Sequence, residues 1–537
     1  MKRKNCHIAM LQRVVRNVYA APNVHYALSL AEALVLETKA VQRMRRLRQT
    51  GLGYLAEPAS ENTRLPHCIG TAYWASEILN SIAVQRSRMG DRSPTKVALS
   101  IDELEDTLGQ EISFVLVVKL FALVHDMALL PLNHTMRYQL GYYCDPQIEA
   151  HLFDKCINEI VEEIEGRYGR EGPVSRQQSL VPALCAHLRF VSAVMFLRNL
   201  RGLRHDSRNS SRANELFAEF GSMVLTMFLV SDIVVGPLGG DILDYAGRDR
   251  LAFSMDTVDR HILRWYSIVL APLGERDRND LSFLSQKISI HEPVPRLAIR
   301  LDMEDSPSLV AAMISKLLRA RLEIFDALLY STRKLGFDAL FDGALRVIDR
   351  NSHWVSQRRG PLSPEKLVEL GDDEFLLLLE SLENTERTKA QQPTHLSYAG
   401  MLANARQPTL IARLDASTDD PSVESHIEEL RQPAIRDEKM RSIKRAYSLP
   451  LEPVVGFVPK SPQVKELDLL FLRDGRIAEN LENLSDLHPR FEEVNSQNSL
   501  QSRSWTICIF VPDSEKTLGS KSTATASERE ALRMLQL

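Results

Sequence analysis

Residues 120–134 read LFALVHDMALLPLNH. An apolar run from Phe114 to Val124, interrupted only by Lys119, ends in an adjacent His125-Asp126 pair. A carboxylate is expensive to bury unless it is paired or binds a cation. Imidazole beside carboxylate is a ligand set that suits Fe, Mn or Zn. The dipeptide alone is common, so its meaning depends on other ligands at suitable places in the chain.

Two stretches supply them. Upstream, residues 61–79 (ENTRLPHCIGTAYWASEIL) place His67 on an amphipathic helix, with Arg64 one turn earlier so that both can face one cavity. Downstream, residues 238–250 (LGGDILDYAGRDR) place Asp241, Asp244, Tyr245, Arg248 and Asp249 on one helical face, after a mostly apolar stretch from Met223 to Leu238. That polar stripe has two readings. It is a solvated outer face, or it is a cavity wall with Asp241 as a metal ligand.

The ordered set His67, His125-Asp126, Asp241 resembles the HD-domain metal-dependent phosphohydrolases. Residues 41–73 (VQRMRRLRQTGLGYLAEPASENTRLPHCIGTAY) and the D..DY..RD spacing of residues 241–249 resemble the dNTP triphosphohydrolase, or dGTPase-like, branch of that family. The matching positions in the first stretch are Gln42, Arg43, Arg45, Gln49, Gly51, Pro58, Thr63, Arg64, His67 and Gly70, and the resemblance covers roughly residues 10–350. It implies a helical bundle binding one divalent metal (Fe, Mn or Zn, with Mg accompanying the nucleotide). It further implies cleavage of a deoxynucleoside triphosphate to deoxynucleoside and triphosphate by metal-activated water. His67, His125, Asp126 and Asp241 are the expected ligands. Arg64 and Tyr245 are expected at phosphate, and Arg248 pairs with Asp244 or with phosphate. Gln49 and Asp249 are expected at the sugar or base, with His134 and His151 as proton donors.

The chain departs from the family at specific positions. Where the family reads HDxGHxPFSH, this chain reads HDMALLPLNH, so Ala128 and Leu129 replace Gly-His, while Pro131 and His134 are kept. Ile242 stands where a basic residue often follows the metal-binding aspartate. A non-enzymatic alternative follows from those changes: a nucleotide sensor or interaction module that keeps its metal for structure. Retention of Arg64, Tyr245, Arg248 and Asp249 favours the enzyme. No GYP signature of the cyclic-dinucleotide phosphodiesterases follows the His-Asp pair.

The chain has 537 residues, 44% hydrophobic and 25% charged, enough to bury a large core. A net charge of -4 favours neither a nucleic-acid nor an acidic-substrate specialist. Six cysteines without CxxC spacing indicate no disulfide framework or zinc ribbon. The N-terminus lacks a continuous apolar core for a secretory signal, and no run reaches the roughly 18 apolar residues that span a bilayer. A cytoplasmic protein with a nucleotide substrate, an effector nucleotide and a homo-oligomeric state, apart from membranes, is the expectation.

Helical periodicity over residues 10–380, followed by short apolar runs, predicts a mainly α fold with a small C-terminal α/β lobe. The expected divisions are a helical phosphohydrolase region at 1–383, a linker and irregular segment at 384–463, and the lobe at 464–537. Strands are expected mostly in the last 80 or so residues: around ELDLLFLRDG and SWTICIFVPD, before a terminal helix in ASEREALRMLQL.

Overall fold

The computed structural model describes residues 2–21, 24–89, 99–108, 112–140, 146–168, 180–200, 212, 215–216, 218–251, 260–272, 293–301, 307–417, 430, 432–446, 448–458, 470–473, 476–478, 489 and 504–512. The fold is mainly α, with 68% helix against 13% strand among the described residues. In chain order, α1 (Lys2–Leu11) leads into the hairpin β1 (Val14–Ala21) and β2 (Val24–Ser29), then α2 (Leu30–Leu36) and the long α3 (Arg64–Met89). Helices α4 (Phe114–Val124), α5 (Asn133–Leu140), α6 (Pro146–Tyr168), α7 (Leu180–Leu200), α8 (Thr226–Val235) and α9 (Gly240–Leu251) follow. Then come β3 (Tyr266–Ala271), β4 (Val294–Arg300), α10 (Pro307–Ile324), α11 (Thr332–Ser352), α12 (Asp372–Lys389) and α13 (Tyr398–Ala403). The remainder is β5 (Thr409–Ser417), α14 (Pro433–Ala446), β6 (Val454–Val458), β7 (Leu470–Arg473), β8 (Arg476–Ala478) and β9 (Ser504–Val511).

Helix α4 forms the centre because its sequence leaves it no solvated face. Nine of its eleven residues are buried. Each large side chain so removed from water contributes about 1.5–3 kcal/mol. Ser113 caps its start by accepting from the Leu116 N–H at 3.3 Å. Helices α3, α7 and α8 pack around α4, and α9 packs along α3. That packing brings the ends carrying the sequence motifs to one place.

Strands are not confined to the C-terminal end. β1 and β2 pair antiparallel near the N-terminus, with Val18 opposite Tyr26. β3 and β4 pair antiparallel, and β7 adds parallel to β4 with Ala298 opposite Leu470, giving the order β3-β4-β7-β8. The expected irregular segment 384–463 is corrected too. Position 384 falls inside α12, whose buried Leu379, Glu383, Glu386 and Arg387 continue the helical stripe. Beyond it, β5 and β6 flank β9 in a three-stranded antiparallel sheet. That sheet is docked on α11: Val454, Cys508 and Phe510 share the main hydrophobic core with Phe337 and Phe341. The expected strands in 470–473 and 504–511 are present; the expected terminal helix lies outside the described residues.

Helix α11 carries charge through the core in pairs. Lys334 Nζ lies 2.5 Å from Asp338, which also accepts from Thr135 Oγ1 at 2.7 Å. Asp342 and Arg346 pair at 2.9 Å, and Arg346 reaches Asp437 of α14 at 2.5 Å. These buried pairs fix the register between α11, α5 and the C-terminal sheet layer.

Two stretches, Leu180–Asn199 and Met223–Arg250, are long and apolar enough by mean hydropathy to cross a membrane, though neither is a continuous apolar run. Each is 72% buried inside the protein. α8 ends at Val235 and α9 begins at Gly240, so the second stretch is two helices with a turn.

Asp372, at the start of α12, gives a pH signature. Its carboxylate accepts from the Arg48 N–H at 2.7 Å and the Leu132 N–H at 2.8 Å, locking the turn after His125-Asp126 to α12. Leu132 has φ 52°, and this acceptor offsets the left-handed backbone there. Burial pushes the Asp372 carboxyl from 3.8 up to about 6, more than the two N–H donors and Arg48 pull it down. A raised carboxyl pKa means that the folded state holds the proton more tightly. Stability from this group is therefore highest below pH 4 and falls as pH rises through 4 to 6, by roughly 3 kcal/mol in total. We expect Asp372→Asn to flatten the unfolding midpoint across pH 4 to 6 relative to wild type. Parallel wild-type and variant curves would contradict the assignment.

Candidate metal centre

The centre is built where α3, the end of α4 and the start of α9 meet. His67 lies in the first turn of α3, His125 and Asp126 directly follow α4, and Asp241 lies in the first turn of α9. His67, His125 and Asp126 each offer one ligand atom, all within 4.8 Å of one another, and this group can hold a metal ion. Outside that group of three, the Asp241 Oδ1 is 3.2 Å from His67 Nε2 and 3.9 Å from His125 Nε2. Asp126 lies 3.8 Å from His67 Nε2 and 3.5 Å from His125 Nε2. Ligand atoms about 2.1 Å from a shared ion stand about 3.0–3.4 Å apart at octahedral to tetrahedral angles. The observed separations are at or slightly above that range.

The donor chemistry fits a cation. Both Nε2 atoms are buried and make no hydrogen bond, although carboxylates surround them. Each Nδ1 is occupied elsewhere: His125 against Ala122 O at 2.8 Å and His67 against Asp244 at 2.8 Å. With Nδ1 hydrogen-bonded, Nε2 is the nitrogen left to bind a metal. Burial lowers the His125 pKa, so its imidazole is neutral as a ligand requires. Asp126 is pulled down to about 2, because the two imidazoles beside it and the Arg64 guanidinium outweigh its burial. For His67 burial acts downward, but Asp241 and Asp244 reverse it and lift the pKa to about 10. In the absence of a metal, the carboxylates thus hold a proton on His67; a cation supplies the same positive charge.

Surrounding residues orient the ligands. Asp244 holds His67 and is itself gripped by Arg248 through Nε at 2.8 Å and Nη2 at 2.9 Å. Arg248 Nη2 also donates to the Ala20 carbonyl of β1. This relay runs from the N-terminal hairpin to a ligand. Gly70 leaves room for it: a Cβ there would stand 1.8 Å from Asp244 Oδ1. Arg64 ion-pairs with Asp126 and donates to Gln49 O at 3.1 Å. Arg43 donates to Met127 O at 3.2 Å and Leu129 O at 2.9 Å, which fixes the turn carrying Ala128.

The other expected site residues divide into two groups. Gln49 is buried, with Oε1 making no hydrogen bond. Tyr245 is half-buried on α9. Asp249 is buried on the same helix, and burial pushes its carboxyl up to about 7 despite the nearby charges of His67, Arg248 and Arg64. The Gln49 carbonyl accepts from Arg64, and Tyr245 and Asp249 lie on α9 beyond Asp241. His134 is half-buried at the start of α5, eight residues after Asp126. His151 is exposed on α6, whose apolar stripe of Leu152, Phe153 and Cys156 turns inward, so its ring is not part of the buried group. Of the alternatives for Arg248, the structure shows the pairing with Asp244. Spacing suggested that i, i+4 pair, but Asp244 reaching His67, 177 residues away, has no local signal.

No protein-family model matches the chain. An uncharacterized protein of Methanocaldococcus jannaschii is 39% identical over 51 residues, which is 10% of this chain and 11% of that protein. The match therefore spans about a tenth of either chain and assigns neither a family nor an activity.

Proposed function

We propose that the protein is a metal-dependent phosphohydrolase acting on nucleotides, with (deoxy)nucleoside triphosphates as substrate class and a cytoplasmic site of action. The observation that carries this reading is the convergence of two imidazoles, each with a buried unbonded Nε2, on two carboxylates. The resemblance to the HD-domain phosphohydrolases rests on the same four residues. The bound metal would supply Lewis acidity toward phosphoryl oxygen and a water of lowered pKa. The chain's own residues then need only position and neutralise, since phosphoryl transfer asks little covalent chemistry of a protein. Asp126 and Asp241 are the partly exposed members of the group, so substrate approaches from their side. Tyr245, half-buried on α9, is the hydroxyl donor for a phosphate oxygen; Gln49 Oε1 and the Asp249 carboxyl are the polar groups for the sugar or base.

A second reading, a nucleotide sensor with slow or no turnover, is favoured by one specific observation. Both arginines expected at phosphate are engaged with carboxylates, Arg64 with Asp126 and Arg248 with Asp244, while Ala128 and Leu129 offer no polar side chain. Arg64→Ala separates the roles. As a support for Asp126, Arg64 should set metal affinity, and its loss should raise the metal Kd about 10–100-fold. With metal restored to saturation, a remaining fall in kcat/KM on a nucleoside triphosphate reports direct phosphate contact. An unchanged metal Kd would contradict the supporting role, and full recovery of turnover would remove Arg64 from the phosphate site.

A further inference from the structure

Residues 2–31 carry Lys2, Arg3, Lys4, Arg13 and Arg16 and no Asp or Glu, in a chain whose net charge is -4. The first carboxylate, Glu32, is buried and spent on Tyr26 and Ser29. The same segment exposes apolar surface. Of the seven exposed large apolar side chains among the described residues, three lie on β1: Val14, Val15 and Tyr19, the last 68% exposed. Directly opposed residues of an antiparallel pair share a face of the sheet. Val18 stands opposite Tyr26 and Arg16 opposite Leu28; Tyr26 and Leu28 are buried, so theirs is the core face. Asn17 stands opposite Ala27 and Tyr19 opposite His25, and all four are exposed, so theirs is the outward face. On it the Tyr19 and His25 rings pack with centroids 4.4 Å apart. Arg13 and Arg16 are exposed beside it, and among the described residues neither forms an ion pair.

We propose that this N-terminal ribbon docks on an anionic lipid membrane surface. Charge complementarity and apolar exposure both favour it. Cations free of carboxylates are drawn to a leaflet of acidic lipids, and salt screens the attraction. Val14, Val15 and Tyr19 then leave water for the boundary between headgroups and acyl chains, where a tyrosine ring keeps its hydroxyl wet. A nucleic-acid strand fits the charge but not the side chains: bases stack on aromatic rings and guanidinium planes, and two of the three exposed apolar groups are valines. A second ribbon would set Arg13 and Arg16 against like charge. The surface departs from the expectation of a protein apart from membranes, because total charge and long hydropathy runs average out a short basic and apolar segment. Through the Ala20 carbonyl, which accepts from Arg248, the docked strand adjoins the residue that grips Asp244. Docking needs neither Asp126 nor a metal.

Sedimentation with lipid vesicles tests this on three full-length proteins: wild type, Arg13→Gln with Arg16→Gln, and Val15→Ser with Tyr19→Ser. The vesicles are phosphatidylcholine alone, or equal parts of phosphatidylcholine and phosphatidylserine. We expect wild type to pellet with the mixed vesicles and not with phosphatidylcholine alone, and the binding to weaken as salt rises. Apparent affinity for the mixed vesicles should fall at least about tenfold in each double variant. Circular dichroism checks that the variants, changed only at exposed positions, keep their fold; if one does not, the other decides. Anisotropy titration with a fluorescent single-stranded oligonucleotide covers the other class of anionic partner. Failure to pellet with the mixed vesicles, equal pelleting with both vesicle types, or wild-type affinity in a folded double variant would each overturn the proposal. Oligonucleotide binding without vesicle binding would overturn it in favour of nucleic acid.

Discussion

Asp126→Ala protein is expected to hold less than about a tenth of an equivalent of divalent metal, where wild type purified alongside it holds about one. The effect is large because Asp126 has two roles in the centre. Its oxygens lie 3.5 and 3.8 Å from the two Nε2 atoms, and it carries the ion pair of Arg64. Removing it deletes a ligand and also strands a buried guanidinium, a change that costs about 3–5 kcal/mol when a buried pair is broken. Misfolding could then imitate metal loss, so Asp126→Asn serves as the second variant. It keeps the side-chain shape and removes only the charge. Metal content by elemental analysis should fall in both variants, while thermal unfolding of Asp126→Asn stays cooperative. Wild-type metal content in the folded Asn variant would show that Asp126 is not a ligand.

Gly70→Ala has the second largest expected effect, from a single methyl group. A Cβ at position 70 would lie 1.8 Å from Asp244 Oδ1 and 2.5 Å from Arg248 Nη2. Neither atom can simply swing aside. Asp244 is held by His67 and Arg248, and Arg248 is held by Asp244 and the Ala20 carbonyl. The methyl group must therefore break the relay or displace α9 from α3. Overpacking of this kind costs about 1–3 kcal/mol or more. Loss of the carboxylate behind a metal-binding imidazole weakens metal affinity by about 10–100-fold. Chemical denaturation and metal titration of Gly70→Ala should show both losses together. Gly166→Ala is the control, since a Cβ there meets nothing within 4 Å. A Gly70→Ala protein with wild-type stability and metal Kd would refute the relay.

The helical character was legible because it is written locally. Phe114 to Val124 reads as a buried helix, and nine of its eleven residues are buried. His67, His125-Asp126 and Asp241 were legible as a set only through their order and neighbours; their convergence depends on α3 and α9 packing together. The strands were harder to read, for a physical reason. β5 pairs with β9, so Thr409 meets Val511, and β4 pairs in parallel with β7, so Ala298 meets Leu470. Such long-range pairings leave no turn signal between partners. The boundary read at 384 came from a polar composition shift, but ENTERTK there is the last part of α12, with Glu383, Glu386 and Arg387 buried. Charges buried on a helix look like surface charge in a sequence. Arg248, read as pairing with Asp244 or with phosphate, is bonded to Asp244.

The most direct test of the account is product analysis on metal-loaded wild-type protein with Mn or Fe. It is run across deoxynucleoside triphosphates, nucleoside triphosphates and monophosphates, with and without a second nucleotide, beside Asp126→Ala. The account predicts metal-dependent release of a phosphate product from at least one triphosphate, and none from Asp126→Ala. No product above the Asp126→Ala background under any of those conditions would contradict the hydrolase and leave the nucleotide sensor in its place.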